Sequence, residues 1–132
     1  ERPKSREVAD FIGQMNLLNG AVESVGDKVT VNTPTLGNVC VESNDQDVAV
    51  GTAVTLAIRP ENLKLRSAPA PDAVRVTLAA SVFWGHTTYY RVVVGAEGES
   101  LDVAQQDYRG SEKTGDEAWL GFDPEDLLLL KD

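Results

Sequence analysis

The sequence predicts an all-β protein, closed or nearly closed into a small barrel or sandwich. Three observations carry that prediction. Short runs of strand-forming residues recur at regular spacing, separated by Gly-rich turns. The Val74 to Trp84 run alternates apolar and polar residues in the manner of a half-buried strand. Two Pro-Glu corners, Arg59-Pro60-Glu61 and Asp123-Pro124-Glu125, each follow an apolar run and precede another. Proline fixes φ and lacks an N–H, so a strand must stop or swing outward there. Glu61 and Glu125 follow, each expected to be free to cap exposed backbone donors.

Arg6 to Ile12 is the best helix candidate. Val8, Phe11 and Ile12 form one stripe, Ser5 is placed to cap and Gly13 to stop the helix. The segment before it reads as a linker entered midway, so the chain looks cut from something longer. Residues 1–14 are therefore assigned to a linker and short helix, and residues 15–132 to one β domain. Strands are expected over Asn16 to Val25, Lys28 to Asn32 and Leu36 to Glu42. Gly26-Asp27 marks a tight hairpin between the first two, and the Thr33-Pro34-Thr35 region joins the next pair. Asn44 to Asp47 is a polar loop. Ala53 to Ile58 is a strand leading into the first corner, and Ser67 to Asp72 an exposed connector. Val74 to Trp84, a Gly85-His86-Thr87 turn and Thr88 to Val94 form the longest hairpin. A turn over Gly95 to Gly98 and a strand over Leu101 to Ala104 follow. After a polar loop over Asp107 to Thr114, strands are expected over Glu117 to Phe122 and Leu127 to Leu130.

Composition restricts the chemistry. The 132 residues suit a single domain, and no apolar run approaches membrane-spanning length. A net charge of −9 opposes nucleic acid and anionic lipid as partners, because both need clustered Lys and Arg. Cys40 is the single cysteine, which excludes an internal disulfide and leads to the expectation of a reducing, cytoplasmic setting. Cys40 lies in an apolar run and is expected to be a small buried hydrophobe.

There is no phosphate-binding loop, no Gly-x-Gly-x-x-Gly and no Cys/His cluster of zinc spacing. The carboxylate pairs Asp45 with Asp47, Glu97 with Glu99, and Asp123 with Asp126 fall in turn-like sequence, which favours solvated loops over acid–base work. No catalytic, cofactor-binding or metal-ligating residue is assigned. His86 is expected at an exposed turn. Trp84, Tyr89 and Tyr90 divide between core and a contact patch; Trp84 is read as core, Tyr90 is left open, and Trp84, His86, Tyr89 and Tyr90 are the candidate interface residues. Arg59, Pro60, Glu61, Asp123, Pro124 and Glu125 are candidate structural corner residues, with the Arg59 guanidinium suited to carboxylates or carbonyls.

Three stretches resemble one family. Val8-Ala9-Asp10-Phe11-Ile12-Gly13-Gln14-Met15-Asn16 resembles the segment that follows the nucleotide-binding domain in bacterial ABC importer ATPases. Ala57-Ile58-Arg59-Pro60-Glu61 resembles the Ile-Arg-Pro-Glu corner of the transport-associated OB (TOBE) domain that comes next. Trp84-Gly85, Tyr90-Arg91-Val92 and Gly115 to Asp126 resemble the last half of that domain. The resemblance implies an OB-like barrel serving as a non-enzymatic regulatory and dimerisation module, most similar to the polyamine (spermidine/putrescine) branch. It implies ATP and Mg handled in another domain, none bound here, with a second ATPase subunit and transmembrane permease subunits as partners at the inner membrane. A small-ligand or ion sensor from a sugar or ferric-iron importer is the alternative.

Overall fold

The computed structural model describes residues 14–43, 46–95, 99–106, 108, 110 and 112–131. The helix expected over Arg6 to Ile12 lies outside them. The all-β expectation holds: ten strands and two single-turn 3-10 segments make up the described chain. The strands are β1 (Asn16–Val25), β2 (Val29–Thr33), β3 (Gly37–Val41), β4 (Ala53–Ile58), β5 (Leu63–Arg66), β6 (Val74–Trp84), β7 (Thr87–Val94), β8 (Glu99–Gln105), β9 (Glu117–Phe122) and β10 (Leu128–Lys131).

The sequence does not reveal that these strands divide between two sheets, one in each of two compact units. Among the described residues, one unit comprises Met15–Ile58 and residues 123–131, the other Gln14 and Arg59–Phe122. The first holds a sheet ordered β10-β4-β1-β2-β3, the second a sheet ordered β5-β9-β6-β7-β8, every pairing antiparallel. The two orders are the same pattern. Three strands form a meander, a fourth returns beside the first, and a fifth pairs with the fourth. In each case the fifth strand follows the other unit's fourth strand in the chain. The chain passes from one unit to the other at both Pro-Glu corners, Ile58/Arg59 and Phe122/Asp123, as it also does at Gln14/Met15.

In the Met15–Ile58 unit, alternation drives one face inward. Leu18 and Val22 of β1, Val29 and Val31 of β2, Val39 and Val41 of β3, and Val54, Leu56 and Ile58 of β4 are buried. Gly20 lets β2 approach: a Cβ there would meet Val31 Cγ1 at 2.6 Å and the Asn32 carbonyl at 3.0 Å. Cys40 corrects its expectation. It is exposed, because it falls between inward Val39 and Val41 on a strand of period two. Uniform leucine conceals the alternation of β10, where Leu129 is fully buried while Leu128 and Leu130 remain about half exposed.

In the Arg59–Phe122 unit, Val76 and Leu78 of β6 and Tyr90, Val92 and Val94 of β7 are buried. They pack with Leu63 and Leu65 of β5, Leu101 and Val103 of β8, and Ala118 and Leu120 of β9. The β6–β7 hairpin turns at Gly85, whose φ of +67° suits glycine. β5 was not expected from the sequence, being a four-residue Leu-Lys-Leu-Arg alternation immediately after a corner. Its free edge meets the free edge of β8 through one side chain. Gln105, buried, accepts a hydrogen bond from the Leu65 N–H at 2.7 Å and donates its amide to the Leu65 carbonyl at 3.2 Å. The carboxamide thus imitates a strand's own donor–acceptor pair and joins the two outer strands of the sheet.

Candidate functional site: a polar cleft at the first Pro-Glu corner

The two corners have similar backbones and different caps. Each enters a 3-10 turn, Pro60–Asn62 or Pro124–Asp126, with proline at the first turn position. Asn62 N–H bonds to the Arg59 carbonyl at 3.0 Å, and Asp126 N–H to the Asp123 carbonyl at 2.9 Å. The Asp123 carboxylate then accepts the Glu125 N–H at 2.9 Å, capping the second turn. The first turn has no side-chain cap. The capping acid is therefore the residue before proline, not the glutamate after it; the orphan N–H groups of a turn point back toward its start. Asp123→Ala should cost about 1 kcal/mol, the usual loss for an N-cap acid, measured by urea denaturation. Arg59→Ala should change stability by less than about 0.5 kcal/mol, as a surface replacement does.

Arg59 instead faces a cleft of about 610 Å³ in the Arg59–Phe122 unit. Its rim combines Arg59 and Glu61 of the corner, Lys64 of β5, Thr87 and Tyr89 of β7, and the amides of Gln14 and Gln106. Buried Gln105 and Pro60 line it too. Among the described residues, the side chains of Arg59, Glu61 and Lys64 make no hydrogen bond or ion pair. The ion pairs that do form lie elsewhere. Arg91 meets Asp102 in a two-pronged contact at 2.8 and 3.1 Å, while Arg75 with Glu117 and Lys28 with Glu42 are exposed.

The four aromatic and histidine candidates separate. Tyr90 is 1% exposed and belongs to the core, its ring edge-on to Tyr108 with centroids 5.6 Å apart. Burial raises the ionisation of both tyrosines above the ordinary 10.0; a hydrogen bond with Thr88 partly opposes this at Tyr90, and the nearby Glu112 charge reinforces it. Trp84, read from sequence as core, is only half buried, because it sits at the tip of β6 beyond the stretch that β9 covers. His86 is exposed in the turn, and Tyr89, half buried, reaches the cleft. Phe83, which the sequence reading passed over, is the most exposed aromatic of the hairpin at 69%.

Gln105 was also missed, since the strand was ended at Ala104. A signal existed: Leu101, Val103 and Gln105 continue one inward face, and a polar residue in that register must find a buried partner. Of the carboxylate pairs, Asp45 and Glu97 lie outside the described residues, while Asp47, Glu99, Asp123 and Asp126 are exposed. No group of His, Cys, Asp and Glu suited to a metal ion occurs among the described residues. No helix among them is long and apolar enough to cross a membrane.

Comparison with known proteins places this architecture. The spermidine/putrescine import ATP-binding protein PotA of Rubrobacter xylanophilus is 34% identical over 136 residues, covering 98% of this chain and 35% of that protein. PotA of Pseudomonas aeruginosa is 37% identical over 106 residues, covering 76% of this chain and 29% of its own length. This chain thus spans about a third of the curated relatives it matches. The cytoplasmic molybdate-binding protein ModG, solved with molybdate bound, superposes with a TM-score of 0.72 over 92% of this chain and 99% of its own. At 12% identity that likeness concerns the fold. Residues 56–130, from the end of β4 through both corners to β10, match the TOBE domain, and the chain belongs to that family.

Proposed function

We propose that this chain is a regulatory, non-catalytic part of the ATP-binding subunit of an ABC importer for polyamines. The observation that carries the reading is the 34% identity to a spermidine/putrescine import ATP-binding protein across 98% of the chain. In this reading ATP and Mg are handled by another part of the parent protein. The chain helps hold two copies of the subunit together and reaches the inner membrane through permease subunits.

The test is transport by the full-length protein in cells lacking it. Restoring the parent gene should restore uptake of labelled spermidine and putrescine. Deleting this region should reduce uptake severalfold while the purified remainder still hydrolyses ATP. Restored uptake of a sugar or of ferric iron, with polyamine uptake unchanged, would replace this reading with the alternative importer class. Sedimentation of the purified full-length subunit tests the pairing separately, with a strictly monomeric protein the contrary result.

A further inference from the structure

We propose that the cleft at the Arg59 corner binds a small amino-dicarboxylate, a molecule bearing two acidic groups and one ammonium, of the size of glutamate or aspartate. The volume of about 610 Å³ falls within the range of roughly 300–1,000 Å³ usual for small-molecule sites. Its fixed charges are two cations, Arg59 and Lys64, and one anion, Glu61. All three side chains lack a partner among the described residues. In a chain with 21 acidic and 12 basic residues, two cations on one rim, without an ion pair among the described residues, run against the overall charge.

The pattern selects among ligands. A polyamine would bring further positive charge to Arg59 and Lys64 and could satisfy only Glu61, so this cleft does not suit one. An inorganic oxyanion would find the two cations but also the Glu61 carboxylate in the same lining. A plain dicarboxylate brings new negative charge beside Glu61 with no cation to offset it. A ligand with two carboxylates and an ammonium meets all three groups. The guanidinium fork takes one carboxylate in two-pronged fashion and the Lys64 ammonium the other, while Glu61 takes the ligand's ammonium.

Neutral groups complete the lining. Gln14 and Gln106 offer amides, Thr87 a hydroxyl and Tyr89 a phenol. The walls are held before any ligand arrives, because Gln105 ties β8 to Leu65, the neighbour of Lys64, through two buried hydrogen bonds. Preorganisation of this kind lowers the ordering cost of binding. The charged rim residues are solvent-exposed, so each pair is weak and screened by salt.

Titration calorimetry on the full-length protein at low salt tests the proposal, using glutamate, aspartate, glutarate, spermidine and inorganic phosphate as probes. Glutamate or aspartate should bind saturably, about threefold to fivefold tighter than glutarate, the scale of one exposed ion pair. Arg59→Gln and Lys64→Gln should each weaken that binding about threefold to fivefold. Glu61→Gln should bring glutarate to parity with glutamate, while Asp123→Ala, at the other corner, keeps the parent affinity. Absence of saturable heat with both amino acids overturns the proposal. So does equal affinity for glutarate in the parent, spermidine or phosphate binding more tightly, or an Arg59→Gln variant that binds as the parent does. Because transport specificity is read by uptake and this site by calorimetry, either can fail without the other.

Discussion

Gln105→Leu should lower the unfolding free energy by about 2 to 4 kcal/mol, measured by guanidinium denaturation. Leucine matches the volume and is more apolar, so area bookkeeping alone would predict a gain. The loss arises because Gln105 is the partner of both backbone groups of Leu65, at 2.7 and 3.2 Å. The substitution removes the partner and leaves a buried N–H and a buried C=O, each costing about 1 to 3 kcal/mol when unsatisfied. Gln105→Glu separates this from a packing effect. Its ionised carboxylate still accepts the Leu65 N–H but faces the Leu65 carbonyl and is buried, so its folded pKa lies above the unfolded value near 4.3. The variant should therefore be more stable below about pH 4 and lose that stability as pH rises through the folded pKa. A pH-independent deficit would show that the hydrogen bonds are not what joins β5 to β8.

Tyr90→Ala should cost about 3 to 5 kcal/mol, the scale of deleting a buried aromatic ring. Tyr90 is 1% exposed and edge-on to Tyr108, so its removal both opens a cavity and strips Tyr108 of its ring contact. The hydroxyls behave differently. Tyr90→Phe loses the hydrogen bond with Thr88 and should cost about 1 kcal/mol. The buried Tyr108 hydroxyl has no partner among the described residues, so Tyr108→Phe should be neutral or stabilising by up to about 1 kcal/mol. Both phenols ionise above 10.0 in the folded chain, chiefly through burial. The unfolded chain therefore loses these protons first. Stability should be full below about pH 10 and fall as pH rises through the folded values, with a shallower fall in the double Tyr→Phe variant. Denaturation midpoints at pH 9 and pH 11 check the sign.

Local pattern was enough for most of the fold. Strand-like runs bounded by turn and corner residues placed β1, β4 and β9 at the residue bounds observed, and period-two alternation placed β6, because one buried face writes itself into the sequence wherever the other face is polar. It placed β10 only approximately, since four consecutive leucines erase the difference between faces. It missed β5, whose four residues are too few to stand out beside a proline corner. Cys40 was misread for a related reason: an apolar neighbourhood in sequence is not one in space when successive side chains point to opposite faces.

The candidate site was legible only in part. Arg59, Pro60 and Glu61 stood out because proline in a β run must break it, and that is a local fact. Lys64 follows Glu61 by three residues, but Tyr89, Gln14 and Gln106 join the corner only because the fold brings together segments far apart in the chain. Whether a corner turns within one sheet or passes between two units is likewise decided by strand pairing. By itself, the sequence determined most strand positions, both proline breaks and the inward face of β6, all set by backbone sterics and nearest neighbours. Tertiary structure alone decided that each corner hands the chain to the other unit, that Gln105 closes a sheet edge, and that Tyr89, Gln14 and Gln106 line one cleft with the corner. Those outcomes depend on long-range hydrogen bonds and packing, which no local run of residues encodes.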